Sequence, residues 1–280
     1  MRAVEFDTGD GVRVSGLYVA VDDPRAVLIA IPGGGLHSGY FDGQCAPEVS
    51  FLDLAASLGY SALAVDRPGY GASTGIPDAM TRRQAQADRV WTAVEAVISD
   101  GHAGVPVGIL GHSFGSMVGM TMAGRADPPV DLLGLSISGV GTTYQKIVLD
   151  EQAFSRMRNW GPAEYYPEGT LDRGTRPTAP SAGVENDDAI RWPDDVAGVA
   201  AAITCPVQVA FAEHELNWSD DLDSMAKIFV VAERVETLLQ RNAGHNISLG
   251  WAARPYHLRV LAFFEDCLNA RRTRGAVDEH

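Results

Sequence analysis

A chain of 280 residues, 46% hydrophobic and 8% aromatic, carries enough apolar material for a large core and reads as one α/β domain with an insertion. Its 36 acidic against 22 basic side chains give a formal charge of −14, which argues against nucleic acid or an anionic membrane as partner, since both repel an acidic protein. Three cysteines, Cys45, Cys205 and Cys267, without C-x-x-C spacing support neither a disulfide framework nor a zinc site. The opening Met1-Arg2-Ala3-Val4-Glu5-Phe6-Asp7 lacks the apolar run of a signal peptide, so the expected compartment is cytoplasmic.

Residues 4–6 and 12–21 alternate apolar and polar around Gly9-Asp10-Gly11, the pattern of a β-hairpin. Residues 26–31 form a continuous apolar run that ends in Pro32-Gly33-Gly34-Gly35, as a strand buried on both faces does before a backbone-exposing loop. Glycine leaves its N–H bare, so one of these amides can reach a developing negative oxygen; Gly34 is the first candidate and Gly35 the second. His37 follows, with pocket and surface both open to it. Spacing predicts a helix over 47–58, stopped by Gly59, and a buried strand over 61–65. The turn-rich Asp66-Arg67-Pro68-Gly69-Tyr70-Gly71-Ala72-Ser73 comes next, its aspartate suited to tying down the loop through backbone N–H groups. A helix over 81–99 then feeds a strand over 105–110.

That strand runs into Gly111-His112-Ser113-Phe114-Gly115 and a small-residue helix over 116–123. A serine on so sharp a turn holds its hydroxyl above the sheet edge at the cost of a strained backbone, and the residues two positions away must be nearly without side chains. Gly111 and Gly115 meet that need. The helix aims its first N–H groups and positive dipole end at the turn, which makes the Phe114 amide a candidate oxyanion donor. His112 neighbours the serine but is expected to point away from it. Met117 suits the floor of an adjoining pocket.

A strand over 132–137 ends in Ser138-Gly139-Val140-Gly141. From 142 to 202 the pattern weakens, with Tyr144, Met157, Trp160, Tyr165, Tyr166 and Trp192 scattered among Pro, Gly, Asp and Arg. We read 142–202 as a lid between two parts of a core, 1–141 and 203–280, with a helix over 144–158 and an irregular stretch over 161–188. Residues 206–211 and 235–239 read as strands, and 220–231 as a helix. A closing helix over 256–270 is expected to bury Leu258, Leu261, Ala262, Phe264 and Leu268, before a frayed tail from 271.

A serine hydroxyl needs a neutral imidazole to take its proton, and that imidazole needs a carboxylate to fix its tautomer. His245 follows the last strand and Glu215 the one before it, so parallel topology brings both towards Ser113. Glu213, Asp220 and Asp221 are alternative acids. In this order of motifs the chain resembles an α/β-hydrolase over nearly its whole length. The oxyanion loop, the turn after the next strand, the elbow around Ser113, the acid and the base all fall in family sequence.

The resemblance implies an α/β fold, with a mostly parallel central sheet covered by helices on both faces and a lid insertion after the sixth strand. It departs at Pro32, where many members have histidine, and at Glu215, where aspartate is commoner. Serine as nucleophile argues against the dehalogenase and epoxide-hydrolase branches. The implied activity is hydrolysis of a carboxylic ester or thioester of a small-molecule acyl substrate, with no metal or organic cofactor. Acyl transfer, cyclisation, carbon–carbon bond hydrolysis and a non-catalytic binding protein stay open. The pocket is expected to include Gly35, His37, Met117, Tyr144, Trp160, Tyr166 and Trp218.

Overall fold

The computed structural model describes residues 1–145, 160–172 and 177–278. Its eight strands are β1 (Arg2–Asp7), β2 (Arg13–Val19), β3 (Val27–Ile31), β4 (Ser61–Asp66), β5 (Val107–His112), β6 (Leu132–Ser138), β7 (Val207–His214) and β8 (Val235–Gly244). They form one sheet in the order β1-β2-β4-β3-β5-β6-β7-β8. β1 and β2 make the expected hairpin, β2 runs antiparallel to β4, and every pairing from β4 to β8 is parallel. Parallel neighbours need long crossovers, and the helices supply most of them: α1 (Phe51–Ser57), α2 (Arg83–Ser99), α3 (Phe114–Ala123), α4 (Glu185–Ala200) and α5 (Leu222–Lys227), with α6 (Ala253–Asp278) closing the chain. None among the described residues is long and apolar enough to cross a membrane.

Alternation along the buried strands divides the core in two. Ile29, Ile31, Leu63, Val65, Val107, Ile109, Leu135 and Ile137 face one side and pack with Trp91 and Val94 of α2, Met117 and Val118 of α3, and Trp192 and Val196 of α4. The other side presents smaller residues, including Ala30, Ala62, Ala64, Ala210 and Ala212, beneath Phe51 of α1 and Tyr256, Phe263 and Phe264 of α6. Alanines beneath the aromatic rings of α1 and α6, and branched strand residues beneath the mixed apolar faces of α2, α3 and α4, let both layers fill their space.

The chain leaves β3 towards β4 on one side and resumes at β5 on the other, so the loops after β3 and β5 part above the carboxyl ends of the sheet. Such a switch point opens a crevice. It places Gly33 to Gly35 opposite Ser113.

Several elements depart from expectation. α1 starts at Phe51 because Ser50 caps it, accepting from the Asp53 N–H at 3.1 Å. α5 is shorter than the helix expected over 220–231, and Asp221 caps it through the Ser224 N–H at 2.7 Å. α6 continues past 271, where Arg271 pairs with Asp131 at 2.6 Å and Arg274 with Glu233 at 2.6 Å. Its buried phase runs through Tyr256, Val260, Phe263, Phe264 and Cys267, which carries Leu258 and Ala262 round to solvent. The helix expected over 144–158 falls almost wholly on 146–159, outside the described residues.

α4 begins inside the stretch expected to be irregular and contains Pro193. Proline has no N–H for the carbonyl four residues earlier. That carbonyl, of Ala189, accepts instead from the Tyr144 hydroxyl at 2.9 Å.

Candidate active site

Ser113 sits between β5 and α3 with φ 52° and ψ −121°, one of three described non-glycine residues with positive φ. The turn is packed so tightly that a Cβ on Gly111 would lie 2.6 Å from Ser116 Cα, and one on Gly115 would overlap the carbonyl oxygens of Ile31 and Pro32. Its amide donates to the Ser138 carbonyl at 2.8 Å, which ties the elbow to the end of β6. Strain of this kind persists only where the surroundings over-determine it.

His245 directly follows β8, and Glu215 leaves β7 through a turn closed by its N–H on the Ala212 carbonyl at 3.2 Å. The two meet at 2.7 Å, His245 Nδ1 to Glu215 Oε2, both nearly sealed from solvent. Burial alone would push the Glu215 carboxyl up, but the His245 charge and hydrogen bond, with the bonds from Asn217, hold it below its ordinary value. The Asn217 N–H donates to Glu215 Oε1 at 2.9 Å. The alternative acids serve elsewhere: Glu213 accepts from the Asn242 N–H at 2.8 Å, Asp220 from the amides of Thr142 and Thr143, and Asp221 from Ser224.

His112 lies closer to this group than the sequence suggested. Its ring stacks on Tyr40 at 4.7 Å and meets the His245 ring at 4.8 Å, while Nδ1 is 3.2 Å from the Ser138 hydroxyl. Burial, with the nearby His245, keeps it well below the ordinary imidazole range and so neutral. Room for both rings comes from Gly139, where a Cβ would lie 2.8 Å from His245 Cε1 and 3.0 Å from His112 Cε1.

Across the crevice, Arg67 is wholly buried. Its Nε donates to the Pro32 carbonyl at 2.9 Å, Nη2 to the Gly33 carbonyl at 2.8 Å and Nη1 to Gln86 at 2.6 Å. Glu185 at the start of α4 pairs with the same guanidinium and accepts from the Tyr70 hydroxyl. Tyr70 in turn accepts the Gly35 N–H at 2.8 Å. That bond separates the two oxyanion candidates: the Gly35 amide is committed, while the amides of Gly34 and Phe114 have no acceptor among the described residues. Asp66 steadies the outer part of the loop, accepting from the Ser38 N–H and the Ser15 hydroxyl, each at 2.7 Å.

Comparison with known proteins bears on this arrangement. A family described as "Alpha/beta hydrolase family" matches residues 27–273. The chain belongs to that family. Among solved structures, this α/β hydrolase resembles the N-acyl homoserine lactonase AidH, with 20% identity, 95% of this chain and 97% of the other covered and a TM-score of 0.67. A soluble variant of monoglyceride lipase from Saccharomyces cerevisiae matches at 15% identity, 95% and 94% coverage and 0.70. Proline iminopeptidase from Mycobacterium smegmatis matches at 18%, 96% and 100%, and 0.64. At such identities the likeness is one of fold. No curated protein matches the sequence.

The hydrolase's crevice holds a cavity of about 450 Å³, a size suited to a small molecule. Ser113, His245, Gly34, Gly35, Phe114, Met117, Tyr144, Trp160 and Trp218 all reach its wall. Tyr144 stacks on Trp218 at 4.0 Å, and the Trp218 indole is fixed by the Gly139 carbonyl at 2.9 Å. Two expected pocket residues lie elsewhere. His37 caps the turn over Ser38–Phe41, accepting from the Gly39 N–H at 3.1 Å, because its ring folds back on its own backbone. Tyr166 packs edge-to-face on Trp160 at 5.5 Å and, unlike Trp160, does not line the cavity.

Glu185, Asn217 and His112 also line the wall and were not expected there. Ser113 and His245 make no direct hydrogen bond. Contacts of this type often close only around bound substrate.

Proposed function

We propose that the protein is a serine hydrolase that cleaves a carboxylic ester or thioester of a small acyl substrate through an acyl-enzyme on Ser113. The observation that carries this reading is one shared wall. A serine held at positive φ faces the cavity lined by a histidine whose far ring nitrogen is fixed by a buried carboxylate. With Nδ1–H directed at Glu215, Nε2 is the basic nitrogen, free to take the Ser113 proton during attack and return it to the leaving group. The uncommitted amides of Gly34 and Phe114 are suited to the oxyanion, each contributing on the order of 3 kcal/mol to the barrier reduction. Water then attacks the acyl-enzyme with His245 again as base. Residues 142–202 serve as the cap, and Tyr144, Trp160 and Trp218 with Met117 offer an apolar seat for the acyl chain.

A fluorophosphonate probe followed by intact mass tests the reading. A single adduct on wild-type protein and none on Ser113→Ala is expected, together with turnover across a panel of p-nitrophenyl esters and acyl thioesters. Equal labelling or equal turnover in the variant would remove Ser113 from the mechanism.

A further inference from the structure

An oxyanion donor at the Gly34 amide has to be held in place. A loop of three glycines has no side chains with which to fix its own backbone, and glycine is the residue with the most conformational freedom to lose. The restraint comes from outside. Arg67 holds the carbonyls of Pro32 and Gly33 with two arms of one guanidinium, and Tyr70 holds the Gly35 amide. The residue between those anchors is Gly34. Both anchors converge on Glu185, one carboxylate oxygen taking Arg67 and the other Tyr70.

Glu185 belongs to the segment proposed as cap, and residues 177–182 of that segment are joined to the glycine loop and to Tyr70. The Ala179 N–H donates to the Gly35 carbonyl at 2.8 Å, the His37 N–H to the Pro177 carbonyl at 3.1 Å, and Leu36 pairs with Thr178. The Ala182 N–H also donates to the Tyr70 hydroxyl at 3.3 Å. Loop 33–37 and segment 177–185 therefore form one hydrogen-bonded unit.

We infer that Glu185, Arg67 and Tyr70 are positioning residues for the oxyanion donor: they fix the Gly34 amide by clamping its neighbours and lock the cap to it. The inference rests on the Proposed function for what the amide does, but the clamp itself can be tested separately. Arg67 is enclosed between the rings of Tyr70 at 4.7 Å and Phe114 at 5.0 Å, so the clamp also touches the residue that carries the second donor.

Two variants that keep size test it: Tyr70→Phe, which removes the hydroxyl, and Glu185→Gln, which removes the charge. Each is first shown to be folded by a cooperative melting transition. Hydrogen exchange of the 33–36 amides, followed by mass spectrometry on the full chain, is expected to quicken about 10-fold or more, with the β5 amides unchanged. Phosphonylation of Ser113 by the fluorophosphonate, which also places an oxyanion on the donors, is expected to slow about 10- to 100-fold, and kcat for an ester to fall by the same factor while KM moves less than about 3-fold. A merely structural role would lower the melting temperature and leave those rates alone. Folded variants with wild-type loop exchange and wild-type phosphonylation would overturn the inference. Wild-type protein that neither labels nor turns over would defeat the Proposed function, and the exchange measurement would still decide whether the clamp exists.

Discussion

Arg67 with Glu185 and His245 with Glu215 are both buried pairs at the rim of one cavity, yet their construction differs. Arg67 and Glu185 stand 118 residues apart in sequence, and the guanidinium is wholly enclosed and spread over two backbone carbonyls, Gln86 and Glu185. Histidine and carboxylate of the second pair come from the ends of adjacent strands, 30 residues apart, and a single ring nitrogen joins them. A guanidinium keeps its charge at any accessible pH, whereas an imidazole exchanges a proton near neutrality. In the proposed mechanism the permanent charge stands where geometry has to stay fixed, and the imidazole where a proton has to move.

That contrast can be broken by substitution. The largest effect is expected at the proposed nucleophile: Ser113→Ala should lower ester turnover by about 10⁴-fold or more, read as kcat at saturating substrate. On the exchangeable side, Glu215→Gln should cost about 10³- to 10⁴-fold in kcat, because an amide no longer favours the required tautomer or steadies the imidazolium. On the fixed side, Arg67→Ala should act first on the fold, lowering stability by about 3–5 kcal/mol in urea unfolding, since it leaves the Glu185 charge buried without its partner.

A smaller effect follows from pH. The Glu215 carboxyl lies below its ordinary value in the folded protein. Its stabilising contribution is thus complete above the unfolded carboxylate range and fades as pH falls through the lower folded value. The difference in melting temperature between wild type and Glu215→Gln should accordingly narrow only below about pH 4. A narrowing that begins near neutrality would mean the carboxylate is not held as described. The least effect is expected at His37, which belongs to neither side: His37→Ala should leave kcat/KM within about 2-fold.

The frame of this site was legible because its signals are local. Buried runs marked β3 to β6, glycines two positions from Ser113 marked the elbow, and chain order put Glu215 and His245 after neighbouring strands. The clamp was not legible. Arg67 and Tyr70 lay within a stretch that read as turn chemistry, and Glu185 has no local feature that names a partner so distant in sequence. An arginine directly after a fully buried strand was the available hint, since a charge so placed needs a buried partner. α4 escaped notice because Pro193 reads as a helix breaker, while its buried stripe of Trp192, Val196 and Ala200 is sparse among acidic residues.

Pro193 has one more consequence. By leaving the Ala189 carbonyl without its helical donor, it provides an anchorage for the phenol of Tyr144, and hence for the aromatic stack beside the serine. One anchor of that cavity wall is thus supplied by a gap in a helix ladder, beside the packing of the residues facing it. Exchanging Pro193 for alanine would return a helical N–H to the Ala189 carbonyl, where it would compete with the Tyr144 hydroxyl, so the change would reach the cavity wall at Tyr144 with every residue that lines it left as it is.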